Sequence, residues 1–440
     1  MDPDTANRLI GEATRHIEAG QYGLARATIE ATLPHFQTAW LFYHHALASF
    51  SLRDYGTALA SIDKAIGAEP DNLRDHNLRI AVLRKLGRHE DVVACASEIL
   101  RMDATSKTTL ALQAEAHQRL GQDQRADEAY KKLLRLAYGD NAAIDALTSK
   151  DTRYHVNHVQ KRQTPYMDYP IHVQFETYAQ CNAACTFCVY PDLARKGAMM
   201  PMSLIDKIIG DLEQVPRHVR FQLSPFGVNE PFLDKRIFDI LDKIRDRLPH
   251  AEITLTSNAS PITEATLKRL SGYKLAYLWL SVVDYRKEVY EGKMKLSYDR
   301  LLSRLDMIHR AKTEGWFPHP VNLSRLKDNS EHDALYAAFM KARYPLFEQT
   351  LWPYANWLGG TSNEMTSEIA DIPCSHWFEL RIDANGIVQH CCMDGQSKYP
   401  WGDATKDSVL AIYNQDAYRR LRRDVFSRRE VAPCDGCNLR

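Results

Sequence analysis

A 34-residue period runs through the first third of the chain and fixes what that third can become. Leu52, Leu86 and Leu120 are spaced by 34, as are Ala58, Val92 and Ala126. The same spacing relates Ile62, Ala96 and Tyr130, and again Ala65, Ile99 and Leu133. Residues 1–145 carry no strand signal and few prolines. Such a period means one supersecondary unit repeated and stacked, each copy burying its apolar face against the next. Gly87 and Gly121 share a repeat position, where a turn between two helices needs a residue tolerant of positive φ. Pro70 follows the second helix of its copy, where a helix should stop. Tyr22, Gly23 and Ala25 against Tyr55, Gly56 and Ala58, offset by 33, mark an earlier and degenerate copy. Four helical hairpins are therefore expected, the first atypical as a cap would be. Cys95, among Val92, Val93, Ala94 and Ala96, reads as a small core residue.

A 34-residue helical hairpin with small residues at its crossings resembles the tetratricopeptide repeat (TPR). The resemblance implies that the first helix of each hairpin lines a concave face. On this register that face carries Trp40, Tyr43 and Phe50, then Arg74, Asn77, Arg84 and Lys85, then Arg119. Aromatic and basic groups side by side suit an extended peptide or a carboxylate-bearing partner. The alternative is that the arginines are a solvated helix face and the aromatics pack against the next domain. Elsewhere the composition excludes more than it suggests. The 56 basic and 56 acidic residues balance, so neither nucleic acid nor a membrane surface is an expected partner. No apolar run approaches the roughly 20 residues of a membrane span. Residues 1–7 lack the basic-then-apolar pattern of a signal peptide. A cytoplasmic location is expected, with the nine cysteines reduced or ligating metal.

Four segments are expected: helical repeats over 1–150, a polar and aperiodic linker over 151–170, a β/α domain over 171–365 and a small cysteine-rich domain over 366–440. Within the third, strand-like stretches at 171–176, 219–223, 252–256, 276–283, 319–323 and 349–353 alternate with helix-like stretches at 202–214, 234–247, 263–271, 298–313 and 331–343. Six strands joined by helical crossovers imply a parallel sheet. Chemistry in such sheets collects beyond the C-terminal strand ends. Directly after the first strand comes Cys181, Cys185 and Cys188, a C-x3-C-x2-C run with Phe187 before its last cysteine. Three thiolates on a loop hold one soft metal centre and leave a fourth position open; a structural zinc site or a ferredoxin would want a different set.

The run resembles the cluster motif of the radical S-adenosylmethionine (radical SAM) superfamily. The resemblance implies a partial (β/α)6 barrel and a [4Fe-4S] cluster whose open iron binds SAM. An electron from a donor such as flavodoxin or ferredoxin then cleaves SAM to a 5′-deoxyadenosyl radical. Later polar clusters fall in the family's order. Gly227-Val-Asn-Glu230-Pro231 stands where the family has Gly-Glu-Pro, so Glu230 is expected to meet the SAM amino group, although the segment is longer than usual. Asn258, in Thr256-Ser-Asn, and Ser281, at the end of strand four, match the family's remaining cofactor positions, with Phe187 beside the cluster.

Five further cysteines lie at 374, 391, 392, 434 and 437. Residues 379–390 read as a β-hairpin turning at Asn385-Gly386, which brings Cys374 and Cys391 together. Cys434 and Cys437 form a C-x2-C knuckle. Four thiolates make a closed site, iron–sulfur or zinc on spacing alone. The segment resembles the twitch auxiliary-cluster domain, a shortened relative of SPASM, which implies a second [4Fe-4S] cluster and two in all. Cys392 is either a stray thiol or a hydrogen-atom donor, as in radical peptide epimerases. Trp352, Tyr354, Asn356 and Trp357, at and past the last strand, are expected either to line a substrate pocket or to pack at the barrel rim.

Taken with the resemblance, these features predict an enzyme that oxidatively modifies a peptide or protein, by dehydrogenation or crosslinking. The repeats would recruit the substrate through Trp40, Tyr43 and Arg84. The alternatives are an aminocyclitol or sugar dehydrogenase whose repeats serve assembly, a peptide epimerase using Cys392, and a non-catalytic metal-binding scaffold.

Overall fold

The 34-residue period folds as helical hairpins in a computed structural model that describes residues 3–361 and 369–438. Helices α1 (Pro3–Glu18) and α2 (Tyr22–Thr32) form the first hairpin, α3 (Ala39–Ser51) and α4 (Tyr55–Ala68) the second. The third is α5 (Leu73–Lys85) with α6 (His89–Met102), and the fourth α7 (Lys107–Arg119) with α8 (Asp123–Tyr138). Thr38, Asp54, Asn72 and Ser106 cap their helices by accepting backbone N–H groups, each contributing about 1 kcal/mol. The intra-hairpin turns place Gly20, Arg53, Gly87 and Gly121 at φ between 64° and 70°, so an arginine occupies one of four glycine positions. The columns through Ala58, Ile62 and Ala65 are buried in every copy, and Cys95 is fully buried among them. The leucine column differs: Leu52, Leu86 and Leu120 are C-caps, and Leu52 and Leu86 are exposed.

The stretch expected as a linker is mostly helical. After the short α9 (Ala143–Ala146), α10 spans Ser149–Arg162 and buries Thr152, His155, Val156, His158 and Val159. These residues have the i, i+3, i+4, i+7 spacing of an amphipathic face. Two histidines and a threonine on that face hid it from a search for apolar periodicity. The chain divides into two compact units within this helix, at Met1–Val159 and Gln160–Arg440.

The second unit is built on one nine-stranded sheet. Strands β1 (His172–Phe175), β2 (Phe221–Ser224), β3 (Ala251–Ser257), β4 (Leu275–Ser281), β5 (Val321–Leu326) and β6 (Glu348–Trp352) lie parallel and in sequence order. The crossovers carry α11 (Met202–Leu212), α12 (Ile237–Arg247), α13 (Glu264–Leu270), α14 (Lys287–Met294), α15 (Tyr298–Thr313) and α16 (Glu331–Arg343). This is a six-stranded parallel β/α core, as expected. Val173, Phe175, Leu223, Leu255, Leu280 and Leu323 face the helices and bury completely with them. The alternate strand positions His172, Gln174, Ser224, Thr254 and Asn322 are polar. His172 Nε2 lies 2.8 Å from Ser224 Oγ, which in turn bonds Thr254 Oγ1.

The C-terminal hairpin extends the same sheet. β7 (Glu379–Ile382) pairs parallel with β1, while β8 (Ile387–Gln389) and β9 (Gly402–Asp403) follow antiparallel. Gly386 turns the hairpin at φ 89°, with a Cβ position 2.8 Å from the Thr405 side chain, so glycine is required there twice over. α17 (Val409–Asn414) and α18 (Asp416–Arg423) complete the unit. The expected boundary at 365–366 lies outside the described residues.

Candidate active site

One cavity of about 220 Å³ sits at the C-terminal ends of the parallel strands. Cys181, Cys185, Phe187, Cys188, Glu230, Asn258 and Ser281 all line it, so every residue expected at the cofactor site meets in one place. The loop after β1 is held from two sides. Ala184 N–H donates to Met294 O (3.4 Å) and Thr186 N–H to Lys293 O (3.0 Å) at the end of α14. From the other side, Asn258 Nδ2 donates to Asn182 Oδ1 (2.9 Å), and Asn182 Nδ2 to Ser260 Oγ (2.7 Å). Asn258 is thus a brace for the cysteine loop as well as a cavity wall. Burial pushes all three thiols up, Cys181 to about 11. A thiol buried in this way keeps its proton at neutral pH unless a positive charge stands beside it.

Glu230 is buried and accepts from Asn258 N–H (2.7 Å), Ser257 Oγ–H (2.9 Å) and Phe232 N–H (3.3 Å). Burial outweighs these donors and pushes its carboxyl up to about 7. Beside it, Gly227 is tightly packed, since a Cβ would meet Glu176 Cβ at 3.0 Å. Glu176 itself was not singled out from the sequence. It is buried at the end of β1 and accepts from Val228 N–H (2.9 Å), Arg195 Nε–H (2.6 Å) and Ala384 N–H (3.3 Å). Arg195 goes on to donate to Gly395 O (2.7 Å). One buried ion pair therefore ties the β2 loop to the C-terminal hairpin. An acidic residue in the last position of an apolar strand was the available signal.

The far wall of the cavity comes from β4–β6: Ser281, Ser324, Arg325, Leu326 and Trp352. Arg325, also unforeseen, is fully buried and donates to Asp284 (2.9 Å), Asp333 (2.8 Å) and Asp328 (3.2 Å). Burial pushes Asp284 up, but the Arg286 and Arg325 guanidinium groups hold it well below the usual carboxylate range. Trp352 packs near Trp279 (5.9 Å between rings). Of the four residues expected at the rim, Trp352 and Trp357 line the cavity. Tyr354 and Asn356 do not: Tyr354 packs edge-on to Phe187, and Asn356 is buried with its amide spent on Gly436 O (2.8 Å).

A second cavity is walled by Cys374, Cys391, Cys434 and Cys437, with Leu358, His376, Trp377, Met393 and Arg428. The four expected thiols meet there, and burial pushes Cys434 up to about 12. Among the described residues no group of three His, Cys, Asp or Glu is drawn together tightly enough for a single metal ion. Trp357 and Leu358 stand between the cavities, Trp357 lining the first and Leu358 the second. Both adopt left-handed backbone (φ 50° and 51°), which costs such side chains roughly 1–2 kcal/mol each. Trp357 Nε1–H donates to Phe187 O (2.9 Å), and Asn438 Oδ1 accepts Asn356 N–H (3.0 Å), which pins the strut at both ends. Cys392 lines neither cavity.

In the helical unit, Tyr43 lies under the Arg74 guanidinium (3.8 Å) and Trp40 lies against His44 (4.0 Å between ring centres, tilted by 33°). Arg74 also pairs with Asp75 and Arg84 with Glu115, so both charges are already met. Phe50 and Tyr43 pack on the apolar core of the second hairpin.

Residues 175–322 match the model of the radical SAM superfamily, and residues 374–438 that of SPASM, the iron–sulfur cluster-binding domain. The sequence matches no curated protein. Among solved structures, Streptococcus suis SuiB bound to precursor peptide SuiA is 15% identical over 76% of this chain and 86% of its own, with a TM-score of 0.49. BtrN in complex with AdoMet and 2-DOIA is 17% identical over 61% of this chain and 92% of its own (TM-score 0.44). MamA is 15% identical over 31% of this chain and 80% of its own (TM-score 0.29).

Proposed function

We propose that this chain, which carries a radical SAM domain and a SPASM-type cluster-binding domain, cleaves SAM reductively and uses the radical to oxidise a peptide or protein substrate. Cys181, Cys185 and Cys188 would hold a [4Fe-4S] cluster. Cys374, Cys391, Cys434 and Cys437 would hold a second, in the single-cluster manner of a twitch domain. When bound, the first cluster supplies the electron that converts SAM to methionine and a 5′-deoxyadenosyl radical. The chain's own residues orient the pieces. Glu230 offers a carboxylate to the SAM amino group, Asn258 fixes the cysteine loop, and Ser281 faces the cofactor from the end of β4. The reading is carried by one observation: three thiols and the expected cofactor residues share one cavity, and four thiols line another across the Trp357–Leu358 strut. Four cysteines also suit one zinc ion, and an iron count separates the two. Cys392 lies outside the cavity where a hydrogen donor would act, which disfavours the epimerase, and the open fourth position of the first site disfavours a scaffold.

Anaerobic reconstitution tests this. The protein should take up about eight irons and form 5′-deoxyadenosine slowly with SAM and a strong reductant. Replacing Cys181, Cys185 and Cys188 together by Ala should leave about four irons and no 5′-deoxyadenosine. Zinc in place of the remaining four irons would refute the second cluster.

The helical unit supports recruitment of a peptide, with its TPR-like hairpins and aromatic residues Trp40 and Tyr43. One observation favours a second reading. Arg74 and Arg84 are already paired within the unit, which weakens the case for an acidic peptide and leaves an aminocyclitol or sugar dehydrogenase with assembly repeats as the alternative.

A further inference from the structure

Two aromatic N–H groups converge on one sulfur of the second cavity. Trp377 Nε1–H donates to Cys434 Sγ at 3.4 Å, and His390 Nε2 lies 3.2 Å from the same atom. An indole N–H can only donate. A ligating thiolate carries no proton, so with Cys434 ligating, Nε2 must be the protonated nitrogen of His390. Neither donor can turn away. Trp377 is fully buried, and the His390 ring stacks on Trp401 (5.1 Å, 23°). Trp401 stacks in turn on Tyr418 (4.4 Å, 6°), whose ring packs against the buried Arg422 guanidinium (4.7 Å). Trp401 Nε1–H also donates to His390 O (3.4 Å), so ring and backbone are held together.

Hydrogen bonds to a cluster's sulfurs stabilise its more negative, reduced form and so raise its reduction potential. We propose that Trp377 and His390 are redox-tuning residues that bias the cluster at Cys374, Cys391, Cys434 and Cys437 toward accepting an electron. The inference rests on the second cluster proposed above. The electron count closes. The 5′-deoxyadenosyl radical takes a hydrogen atom from substrate and becomes 5′-deoxyadenosine. The substrate radical then releases a proton and passes one electron to the cluster, leaving substrate oxidised by two electrons overall.

The test uses full-length protein in which Cys181, Cys185 and Cys188 are Ala, so that one cluster reports. Iron is counted, and the potential is read by a redox titration followed by electron paramagnetic resonance. Trp377→Phe and His390→Phe each remove an N–H and keep a ring. Each should retain about four irons while reduction becomes about tenfold less favourable, which is 59 mV for a one-electron couple. His390→Gln, which can present an amide N–H, should recover part of the loss. Unchanged potentials in variants that hold four irons would overturn the tuning while sparing the cluster. Absence of iron from the parent would overturn both. If Trp377→Phe does not fold, the His390 pair decides alone.

Discussion

Replacing Arg325 by Met should damage the far wall of the cavity and leave the cysteine side intact. Arg325 is fully buried and bridges Asp284, after β4, to Asp328 and Asp333, after β5. Breaking a buried ion pair from one side costs about 3–5 kcal/mol. Arg286 still holds Asp284 through two bonds of 2.9 Å, which puts the expected cost at the lower end, about 3 kcal/mol. For a unit of this size that lowers Tm by roughly 6–12 °C. The pH dependence gives a sharper signature. Asp284 is held well below its ordinary range, so its stabilisation is present above the unfolded carboxylate pKa near 4 and fades as pH falls through the folded value. The gap between native protein and Arg325→Met should therefore be widest near pH 7 and narrow below about pH 4. Thermal unfolding followed by circular dichroism at several pH values reads both. Iron uptake and slow SAM cleavage should persist, because the cysteine loop and Glu230 are braced by β1–β3 and α14. A Tm within about 2 °C of native, or a deficit at about pH 2 equal to that at pH 7, would refute the argument.

Burial pushes Glu230 up to about 7, and a bound ammonium needs its carboxylate, so SAM binding should tighten as pH rises from about 6 to 8; in Glu230→Gln, equilibrium dialysis should find weaker binding and a flat profile. Arg53 occupies a left-handed position that glycine fills in the other hairpins, so Arg53→Gly should stabilise the helical unit by up to about 1 kcal/mol, whereas Gly87→Ala should cost about 1–2 kcal/mol. Urea unfolding of the full chain checks the pair, and opposite signs are the expected result. Removing the residues before α10 should raise KM for a peptide substrate steeply while slow SAM cleavage persists, since all seven proposed ligands lie beyond residue 180. Unchanged kinetics would favour the small-molecule reading.

What was legible in the chain was local. Helices α15 and α16 run over the expected 298–313 and 331–343, because each joins a serine N-cap to an apolar face. The cysteine spacings and the glycine turns needed only a few consecutive residues. Helix α10 was missed because histidine and threonine stand on its buried face. Pairing of β7 with β1 was missed for another reason: parallel partners some two hundred residues apart carry no shared local mark. Arg325 is one arginine among many until Asp284, Asp328 and Asp333 surround it. The same holds for Glu176 and Arg195, whose bond joins the first strand to a loop that reaches the hairpin.

The site therefore divides by how its residues act. Thiols that would bind metal are marked by spacing, since a cluster needs several from one loop or knuckle. The groups that touch Cys434 come from far along the chain, though each stands near another cysteine. His390 and Trp377 reach Cys434 from the end of β8 and from the turn before β7, His390 directly before Cys391 and Trp377 three residues after Cys374. A chain could keep every cysteine and lose these donors without any change in its recognisable pattern. Its cluster content would then be unchanged and its redox behaviour would not. Ligand spacing thus predicts what this fold can hold, and the unspaced polar contacts decide what the bound group can do.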